Sequence, residues 1–228
     1  MELKELHFKG ILFDVDDTLF NRRIIFSEWL DRYITDILKI TDDALTSEIV
    51  DKITCVDGAG YGSKKELIET TLLLYPPPQS SGYNAELAYK EFFESSELDT
   101  EAQDILIQVE AFAIPYGIVT NGTSRQVEKT NKLGLTDRVG CLFVSHTFGS
   151  AKPDPEIFLA AAKCLGLPPH EILFVGDHPI NDIYGAKNVG MMTAWVTNGQ
   201  TWPSKLNHLK PDHILEQLSD LSALTTSR

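Results

Sequence analysis

The sequence predicts an α/β protein with a doubly wound parallel sheet, and three features support that fold class. Short apolar runs of strand length alternate with longer segments that have the periodicity of amphipathic helices. Glycine directly follows three of the predicted helices, at positions 134, 166 and 190, where a helix commonly ends. Polar residues directly follow most of the apolar runs, as expected where ligands bind at the carboxyl ends of parallel strands.

Five strands and nine helices are predicted, and their order indicates an inserted domain. The predicted strands are 8–14, 116–120, 141–145, 172–176 and 192–196. The predicted helices are 22–40, 43–55, 63–75 (with Ser63 as its N-cap), 84–94, 99–111, 124–133, 154–165, 181–189 and 213–223. Because residues 22–95 contain helices but no clear strand, we expect a core domain of residues 1–19 and 97–228 and an inserted helical domain of residues 20–96.

The composition argues against two classes of partner. The 228 residues carry a formal net charge of −13, which repels nucleic acid and anionic membranes. No apolar run reaches the roughly 18 residues of a membrane-spanning helix. We therefore expect neither a nucleic acid polymer nor a membrane as partner. For the oligomeric state, we expect a monomer or a homodimer.

The three cysteines favour a reduced, cytoplasmic protein. Cys55, Cys141 and Cys164 form no C-x-x-C pair, and their number is odd. Cys141 lies on a predicted strand, so we interpret it as a small buried hydrophobic residue rather than a nucleophile.

Polar clusters that follow the strands should converge on one edge of the sheet. They are Asp14 with Asp16, Thr120-Asn121-Gly122, Lys152, and Asp177 with Asn181 and Asp182. Carboxylate and carbonyl oxygens suit Mg²⁺, and a lysine with a hydroxyl suits a phosphoryl group. A divalent cation would neutralise the acidic cluster Asp14, Asp16 and Asp17, in which like charges otherwise repel.

Four segments of the chain resemble, in order, the four motifs of the haloacid-dehalogenase-like (HAD) superfamily of phosphohydrolases. They are DVDDTL, VTNG, AKPDPEIF and GDHPIND, and the resemblance runs from residue 8 to about residue 197, omitting the insertion. The resemblance implies a Rossmann-like core. The insertion resembles the helical cap of the subfamily that is capped after the first motif. The residues of the first and last motifs are similar to those of small-molecule phosphatases of the nucleotidase-like branch.

The resemblance implies a Mg²⁺-dependent phosphatase that acts on a small phosphorylated metabolite, either a nucleoside monophosphate or a sugar phosphate. Asp14 would be the nucleophile, and Asp16 the general acid and then the general base. Thr120, the Asn121 backbone N–H and Gly122 would bind the phosphoryl oxygens, and Lys152 would neutralise their charge.

The same resemblance implies a metal site. The Asp14 carboxylate, the Asp16 main-chain oxygen and Asp177 would ligate Mg²⁺. Asn181 and Asp182 would lie outside this ligand set, and Asp182 would also position Lys152.

The sequence disfavours one alternative chemistry, dehalogenation, and leaves two alternative functions open. Dehalogenases of the superfamily typically lack an acid at the position of Asp16, so phosphoryl chemistry is favoured. A phosphomutase shares the core motifs. A non-catalytic binding or regulatory protein that retains the fold is the alternative from another class.

Several further residues are interpreted as structural. Asp17 is assigned to a turn, and Gly58-Ala59-Gly60-Tyr61-Gly62 to a flexible turn of the cap rather than a phosphate loop. His178 either lines the site or serves in a turn. Four cations of the insertion could meet a substrate, but solvated surface is the expected role for each: Arg22, Arg23, Lys64 and Lys65.

Overall fold

The computed structural model describes residues 8–58, 64–94 and 97–225. Within these ranges the chain forms two compact units. One unit, here called the core unit, comprises the residues up to Phe20 and those from Glu97 onward. The other, the helical unit, comprises residues from Asn21 to the end of the insertion at position 96.

A six-stranded parallel sheet forms the centre of the core unit, and this confirms the predicted fold class. Its strands are β1 (Gly10–Phe13), β2 (Tyr116–Thr120), β3 (Leu142–Val144), β4 (Ile172–Gly176), β5 (Met192–Val196) and β6 (His213–Leu215). The strand order is β3-β2-β1-β4-β5-β6, so the direction of winding reverses next to β1. At such a switch point the connections on the two sides of β1 diverge and leave a crevice at the carboxyl end of the strand.

The helices of the core unit alternate with the strands along the chain. They are α5 (Thr100–Ala111), α6 (Ser124–Lys132), α7 (Leu135–Arg138), α8 (Ser145–Phe148), α9 (Pro155–Leu165), α10 (Gly185–Asn188) and α11 (Leu221–Thr225). A π-helical turn, Pro179–Tyr184, precedes α10 where one regular helix over 181–189 is predicted. Leu12, Val119, Phe158 and Phe174 are fully buried in one cluster, so side chains of β1, β2, α9 and β4 pack together.

The predicted final helix, 213–223, is wrong in its first half. Residues 213–215 form β6, which pairs in parallel with β5, and helix α11 begins only at Leu221. Asp212 explains the start of the strand, because it accepts hydrogen bonds from the Thr193 N–H (2.9 Å) and hydroxyl (2.8 Å) on β5. Lys187 also pairs with Asp212, and these bonds fix residues 213–215 beside the sheet, which overrides their local preference.

The helical unit contains α1 (Arg22–Arg32), α2 (Asp43–Asp57), α3 (Lys64–Leu74) and α4 (Ala85–Glu94). A π-helical turn, Tyr33–Ile37, continues α1. An aromatic cluster forms its core: the Trp29 and Tyr33 rings are stacked with centroids 5.8 Å apart. Trp29 Nε1 donates to the Tyr83 hydroxyl (3.1 Å), which in turn donates to Glu91 (2.8 Å). Buried Trp and Tyr side chains thereby satisfy their polar atoms inside an apolar core.

The structure bears on two predictions for the insertion, one for Arg22 and one for the glycine-rich stretch. The prediction that Arg22 is exposed to solvent is wrong. Arg22 is 1% exposed and makes a bidentate ion pair with the buried Asp57. Gly58 ends α2 in the left-handed conformation (φ 57°), which a residue without Cβ adopts readily. Residues 59–62 of the glycine-rich stretch, and Ser63 with its predicted capping role, lie outside the described residues.

Cys141 is buried as predicted, but it is not a free thiol. Cys141 and Cys164 form a disulfide bond with 5.8 Å between their Cα atoms, and Cys55 is free and exposed. Cys141 directly precedes β3 and Cys164 lies in the last turn of α9, and sequence spacing alone does not reveal that these two elements are neighbours. Of the helices that the structure describes, none combines the length and apolar character needed to cross a membrane.

Candidate active site

The carboxyl end of β1 places the first acidic cluster at the switch point of the sheet. The Asp14 N–H donates to the Val175 carbonyl of β4 (2.9 Å), so the strand pairing extends to the first carboxylate. The chain then turns. Asp17 has a left-handed backbone (φ 58°), and its N–H donates to the Phe20 carbonyl (2.7 Å). Asn198, after β5, donates to the Asp17 carbonyl (2.7 Å) and fixes this turn to the sheet edge.

Lys152 joins two of the predicted clusters. Its ammonium donates to Asp14 Oδ1 and to Asp182 Oδ1, each at 2.6 Å, and all three side chains are buried. Burial alone would lower the pKa of Lys152, but the two carboxylates outweigh it and raise the pKa. Lys152 is therefore a fixed positive charge beside Asp14, at the position where the sequence predicts one.

Asn121 holds the loop that carries Lys152. The Asn121 amide donates to the Lys152 carbonyl (2.8 Å) and accepts from the Lys152 N–H (2.8 Å). Ser145 makes a second link, because its hydroxyl accepts from the Gly122 N–H (3.0 Å) and donates to the Gly122 carbonyl (3.2 Å). The loops after β2 and β3 are thus fixed to each other, and the Gly122 N–H that was predicted to bind phosphate donates to Ser145.

Three carboxylates form a group that could hold a metal ion. Asp14, Asp177 and Asp182 each offer one oxygen, and these oxygens lie within 4.8 Å of one another. The close approach of Asp182 requires glycine at position 176, because a Cβ there would lie 2.5 Å from Asp182 Oδ2. Trp195 Nε1 donates to the Asp177 carbonyl (2.6 Å), which positions the backbone of that ligand. The donor set consists of hard oxygens and therefore suits Mg²⁺.

His178 caps the π-helical turn that carries Asp182. The His178 ring Nδ1 accepts from the backbone N–H groups of Ile180 (3.0 Å) and Asn181 (3.1 Å). The His178 backbone N–H donates to Asp182 Oδ2 (2.9 Å). Burial lowers the pKa of His178 from its ordinary value, although Asp182 opposes this effect. Because both Asp182 oxygens accept hydrogen bonds, from Lys152 and from His178, the side chain has one fixed orientation.

Two residues that the sequence analysis missed contact the Asp16 carboxylate. Lys129 forms an ion pair with Asp16 Oδ1, and its ammonium lies 4.9 Å from the centre of the Phe20 ring. Gln126 Nε2 donates to Asp16 Oδ2 (3.1 Å) and to Thr120 Oγ1 (2.8 Å). Both residues lie three positions apart on α6, which is polar almost throughout, so the sequence does not indicate which side chains face inward.

The charge balance of this region is negative. Lys152 lies between two of the three metal-site carboxylates, so the ionised cluster has more carboxylates than ammonium groups. Burial raises the pKa of Asp14 to about 7; Lys152 opposes this shift, and the neighbouring Asp182 and Asp16 add to it. A divalent cation among these oxygens would stabilise the ionised form of Asp14 that a nucleophile needs.

Comparison with known proteins identifies the family. The family model for haloacid dehalogenase-like hydrolases matches residues 8–190. The chain belongs to the haloacid dehalogenase-like hydrolase family. A HAD phosphatase from Thermococcus onnurineus has a similar structure, with a TM-score of 0.65 and 22% identity over 97% of this chain and 99% of that one. The HAD resemblance noted in the sequence is thereby confirmed, together with the hydrolase class.

Two curated relatives of this HAD-like hydrolase are named as phosphatases. Glyceraldehyde 3-phosphate phosphatase from Methanocaldococcus jannaschii is 31% identical, over 84% of this chain and 86% of the relative. N-acetylmuramic acid 6-phosphate phosphatase from Pseudomonas putida is 28% identical, over 87% of this chain and 86% of the relative. Both names describe hydrolysis of a phosphate ester on a small sugar-like molecule.

Proposed function

We propose that this HAD-like hydrolase is a Mg²⁺-dependent phosphatase that releases phosphate from a small organic phosphomonoester through an aspartyl-phosphate. One observation carries the proposal. The buried Lys152 ammonium lies 2.6 Å from the Asp14 carboxylate and 2.6 Å from Asp182, at the carboxyl edge of the sheet. A carboxylate nucleophile beside a fixed cation suits attack on a dianionic phosphoryl group, whose charge would otherwise repel it.

The reaction would proceed in two displacements. Asp14 attacks phosphorus, the ester P–O bond breaks, and the leaving oxygen takes a proton from Asp16. Water then gives a proton to the Asp16 carboxylate and attacks phosphorus, which breaks the bond to Asp14 and releases inorganic phosphate. Thr120, the Asn121 N–H and Lys152 would bind the phosphoryl oxygens during both steps.

The carboxylates of Asp14 and Asp177 would hold Mg²⁺ with the Asp16 main-chain oxygen, while Asp182 and Asn181 support this site from outside the ligand set. The grouping of Asp14, Asp177 and Asp182 and its hard-oxygen chemistry support this assignment. When bound, Mg²⁺ would supply positive charge that lowers the repulsion between nucleophile and phosphate.

Sugar phosphates are the substrates we propose first. The names of the two curated relatives support this choice, because both act on phosphorylated sugars or sugar derivatives. The second group to test is nucleoside monophosphates. They are expected because the first and last motifs resemble those of nucleotidase-like phosphatases. We further propose that residues 20–96, inserted directly after the first motif, form the cap domain that selects among them, with residues 1–19 and 97–228 as the catalytic core.

A cytoplasmic location and a monomeric or homodimeric state stay predictions. The disulfide between Cys141 and Cys164 is the observation against a strongly reducing compartment. A thiol-labelling experiment on protein from the native host, with and without prior reduction, would measure the redox state of these cysteines.

Phosphate release from a panel of sugar phosphates and nucleoside monophosphates, measured with Mg²⁺ and with EDTA, tests the function. We expect Mg²⁺-dependent release of inorganic phosphate. A phosphomutase would move the phosphoryl group to another hydroxyl without releasing it, which product analysis by phosphorus NMR distinguishes. No turnover of any ester, with no Mg²⁺-dependent binding of a metal-fluoride phosphate mimic, would favour a non-catalytic role and contradict the proposal.

A further inference from the structure

Gln126 and Lys129 form an inward-facing pair on α6, the helix that follows the second motif. They are 5% and 2% exposed, which is unusual for an amide and an ammonium side chain. Their three-residue spacing places both on one face of the helix. A buried ammonium is costly unless a carboxylate pairs with it, so this pair requires a partner at that depth.

Asp16 is that partner, and it is held at both carboxylate oxygens. Lys129 pairs with Oδ1, and Gln126 Nε2 donates to Oδ2 at 3.1 Å. The Asp16 side chain is 25% exposed, whereas the Lys129 side chain is 1% exposed. The interaction therefore fixes a partly solvent-accessible carboxylate to a rigid, buried anchor.

The same amide also sets the orientation of Thr120. Gln126 Nε2 donates to Thr120 Oγ1 at 2.8 Å, so the threonine hydroxyl accepts a hydrogen bond. A hydroxyl has a single proton, and this arrangement leaves that proton to be donated elsewhere, as a phosphoryl oxygen would require. One glutamine thus links the residue predicted to transfer protons with a residue predicted to bind phosphate.

We propose that Gln126 and Lys129 are positioning residues for proton transfer: they hold the Asp16 carboxylate, and through Gln126 the Thr120 hydroxyl, in the geometry that delivers a proton to the leaving oxygen. This inference rests on the proposed phosphatase function. Neither residue contacts the reacting atoms in this scheme. Their contribution is to orient groups that do, and a small misplacement of such groups can cost up to about 100-fold in rate.

The leaving group provides a selective test. A sugar alkoxide is a poor leaving group and depends on protonation by Asp16, whereas p-nitrophenolate is a stable anion and depends on it little. Because kcat/KM reports the first irreversible step, it isolates transfer to Asp14 from later hydrolysis. Loss of Asp16 positioning should therefore lower kcat/KM for an alkyl phosphate much more than for p-nitrophenyl phosphate.

Three methionine substitutions on α6 form a matched set. Lys129→Met and Gln126→Met remove the contacts to Asp16, while Lys132→Met removes an exposed lysine of the same helix. We expect kcat/KM for glycerol phosphate or the best sugar phosphate to fall by about tenfold to 100-fold in the first two variants. For p-nitrophenyl phosphate, kcat/KM should fall by less than about threefold in Lys129→Met, whereas Gln126→Met, which also removes the contact to Thr120, should add a loss that is common to both esters. Lys132→Met should change neither value. The thermal midpoint of each variant and its affinity for vanadate are measured alongside.

Each result decides the inference. A selective loss for the alkyl ester in Lys129→Met, with vanadate affinity retained and the conservative Lys129→Arg variant recovering part of the activity, supports it. Equal losses for both esters together with a lowered thermal midpoint would show a purely structural role and overturn it, as would full activity of both variants. A wild-type protein that hydrolyses neither ester would overturn the proposed function itself.

Discussion

The core unit and the helical unit both bury ionised side chains, but they balance the charges differently. In the helical unit Arg22 and Asp57 form an ion pair of one cation and one anion, and the guanidinium lies about 6 Å from the rings of Phe26 and Phe92. In the core unit Lys152 lies between two carboxylates of a group of three. Three carboxylates therefore share one ammonium group in this cluster of described side chains.

This difference separates a structural ion pair from a candidate catalytic site. A bidentate pair of one guanidinium and one carboxylate, flanked by aromatic rings, is balanced in charge and needs no bound cation or anion. An unbalanced cluster stores repulsion that a cation or a phosphoryl group can relieve, and perturbed titration is typical of functional sites. Removing one charge should therefore lower mainly the stability at the Arg22–Asp57 pair. At the cluster around Lys152 it should lower mainly the activity.

Asp14→Asn is expected to give the largest effect of all. Without a nucleophilic carboxylate, phosphatase activity should fall by at least about 1000-fold. Burial disfavours the ionised Asp14, so its neutral replacement should leave the thermal midpoint in EDTA unchanged or raised at neutral pH. Phosphate release and thermal unfolding measured on the same preparation check both parts. A variant that keeps wild-type activity would contradict the assignment of the nucleophile.

Asp57→Leu should produce the opposite pattern, a large loss of stability. The buried Arg22 guanidinium would lose its carboxylate partner, and breaking a buried pair costs about 3–5 kcal/mol. Urea unfolding monitored by tryptophan fluorescence in a Trp195→Phe/Trp202→Phe background reports the helical unit through Trp29, which lies in its core.

The double variant Arg22→Met/Asp57→Leu is the matched control for this pair. It removes both charges, so most of the lost stability should return. A loss of less than about 1 kcal/mol in Asp57→Leu alone would show that the ion pair contributes little to the stability of the helical unit.

Loss of the disulfide should have an intermediate effect on stability. Cys141 and Cys164 are 23 positions apart, and closing a loop of that size stabilises a fold by about 3 kcal/mol. Cys141→Ser/Cys164→Ser should lower the urea midpoint by a corresponding amount, while Cys55→Ser, which changes an exposed free thiol, should not. Equal stability of the double variant and the wild type under non-reducing conditions would contradict this expectation.

Local patterns predicted much of the fold, while partners distant in sequence were not visible. The strands at 116–120, 172–176 and 192–196 match because short apolar runs bounded by turn residues are strong signals. Residues 213–215 were misassigned because Asp212 and the edge of β5 decide their conformation. The disulfide was missed for the same reason: it depends on which elements lie side by side.

The candidate site shows the same division. The motif residues Asp14, Lys152, Asp177 and Asp182 were identified because each follows a strand, and the structure brings their side chains together. Gln126 and Lys129 were missed because a polar helix does not indicate its inward face, and only the fold places them against Asp16. Arg22 was assigned to the surface because its partner, Asp57, is 35 residues away.

The pH dependence of stabilisation by Mg²⁺ is the smallest expected effect. It distinguishes the metal-site carboxylates from the Arg22–Asp57 pair. Burial raises the pKa of Asp14 to about 7, above its ordinary value of 3.8, so between these pH values the folded state holds a proton that the unfolded state has lost. Without Mg²⁺, this group's contribution to stability therefore decreases as the pH rises toward about 7 and is constant above it.

Protons and Mg²⁺ compete for the Asp14 carboxylate, so the gain in stability from Mg²⁺ should increase across the same range. We expect a small rise in the thermal midpoint with Mg²⁺ over EDTA at about pH 5.5 and a rise equivalent to about 2–3 kcal/mol at about pH 8 with saturating metal. Asp14→Asn should lose this pH dependence, whereas Arg22→Met/Asp57→Leu should retain it, because that double substitution leaves all the metal-site carboxylates in the chain. A Mg²⁺ effect that is the same at both pH values in the wild type would show that Asp14 does not bind the cation, and Asp177 and Asp182 would then have to hold it without the nucleophile.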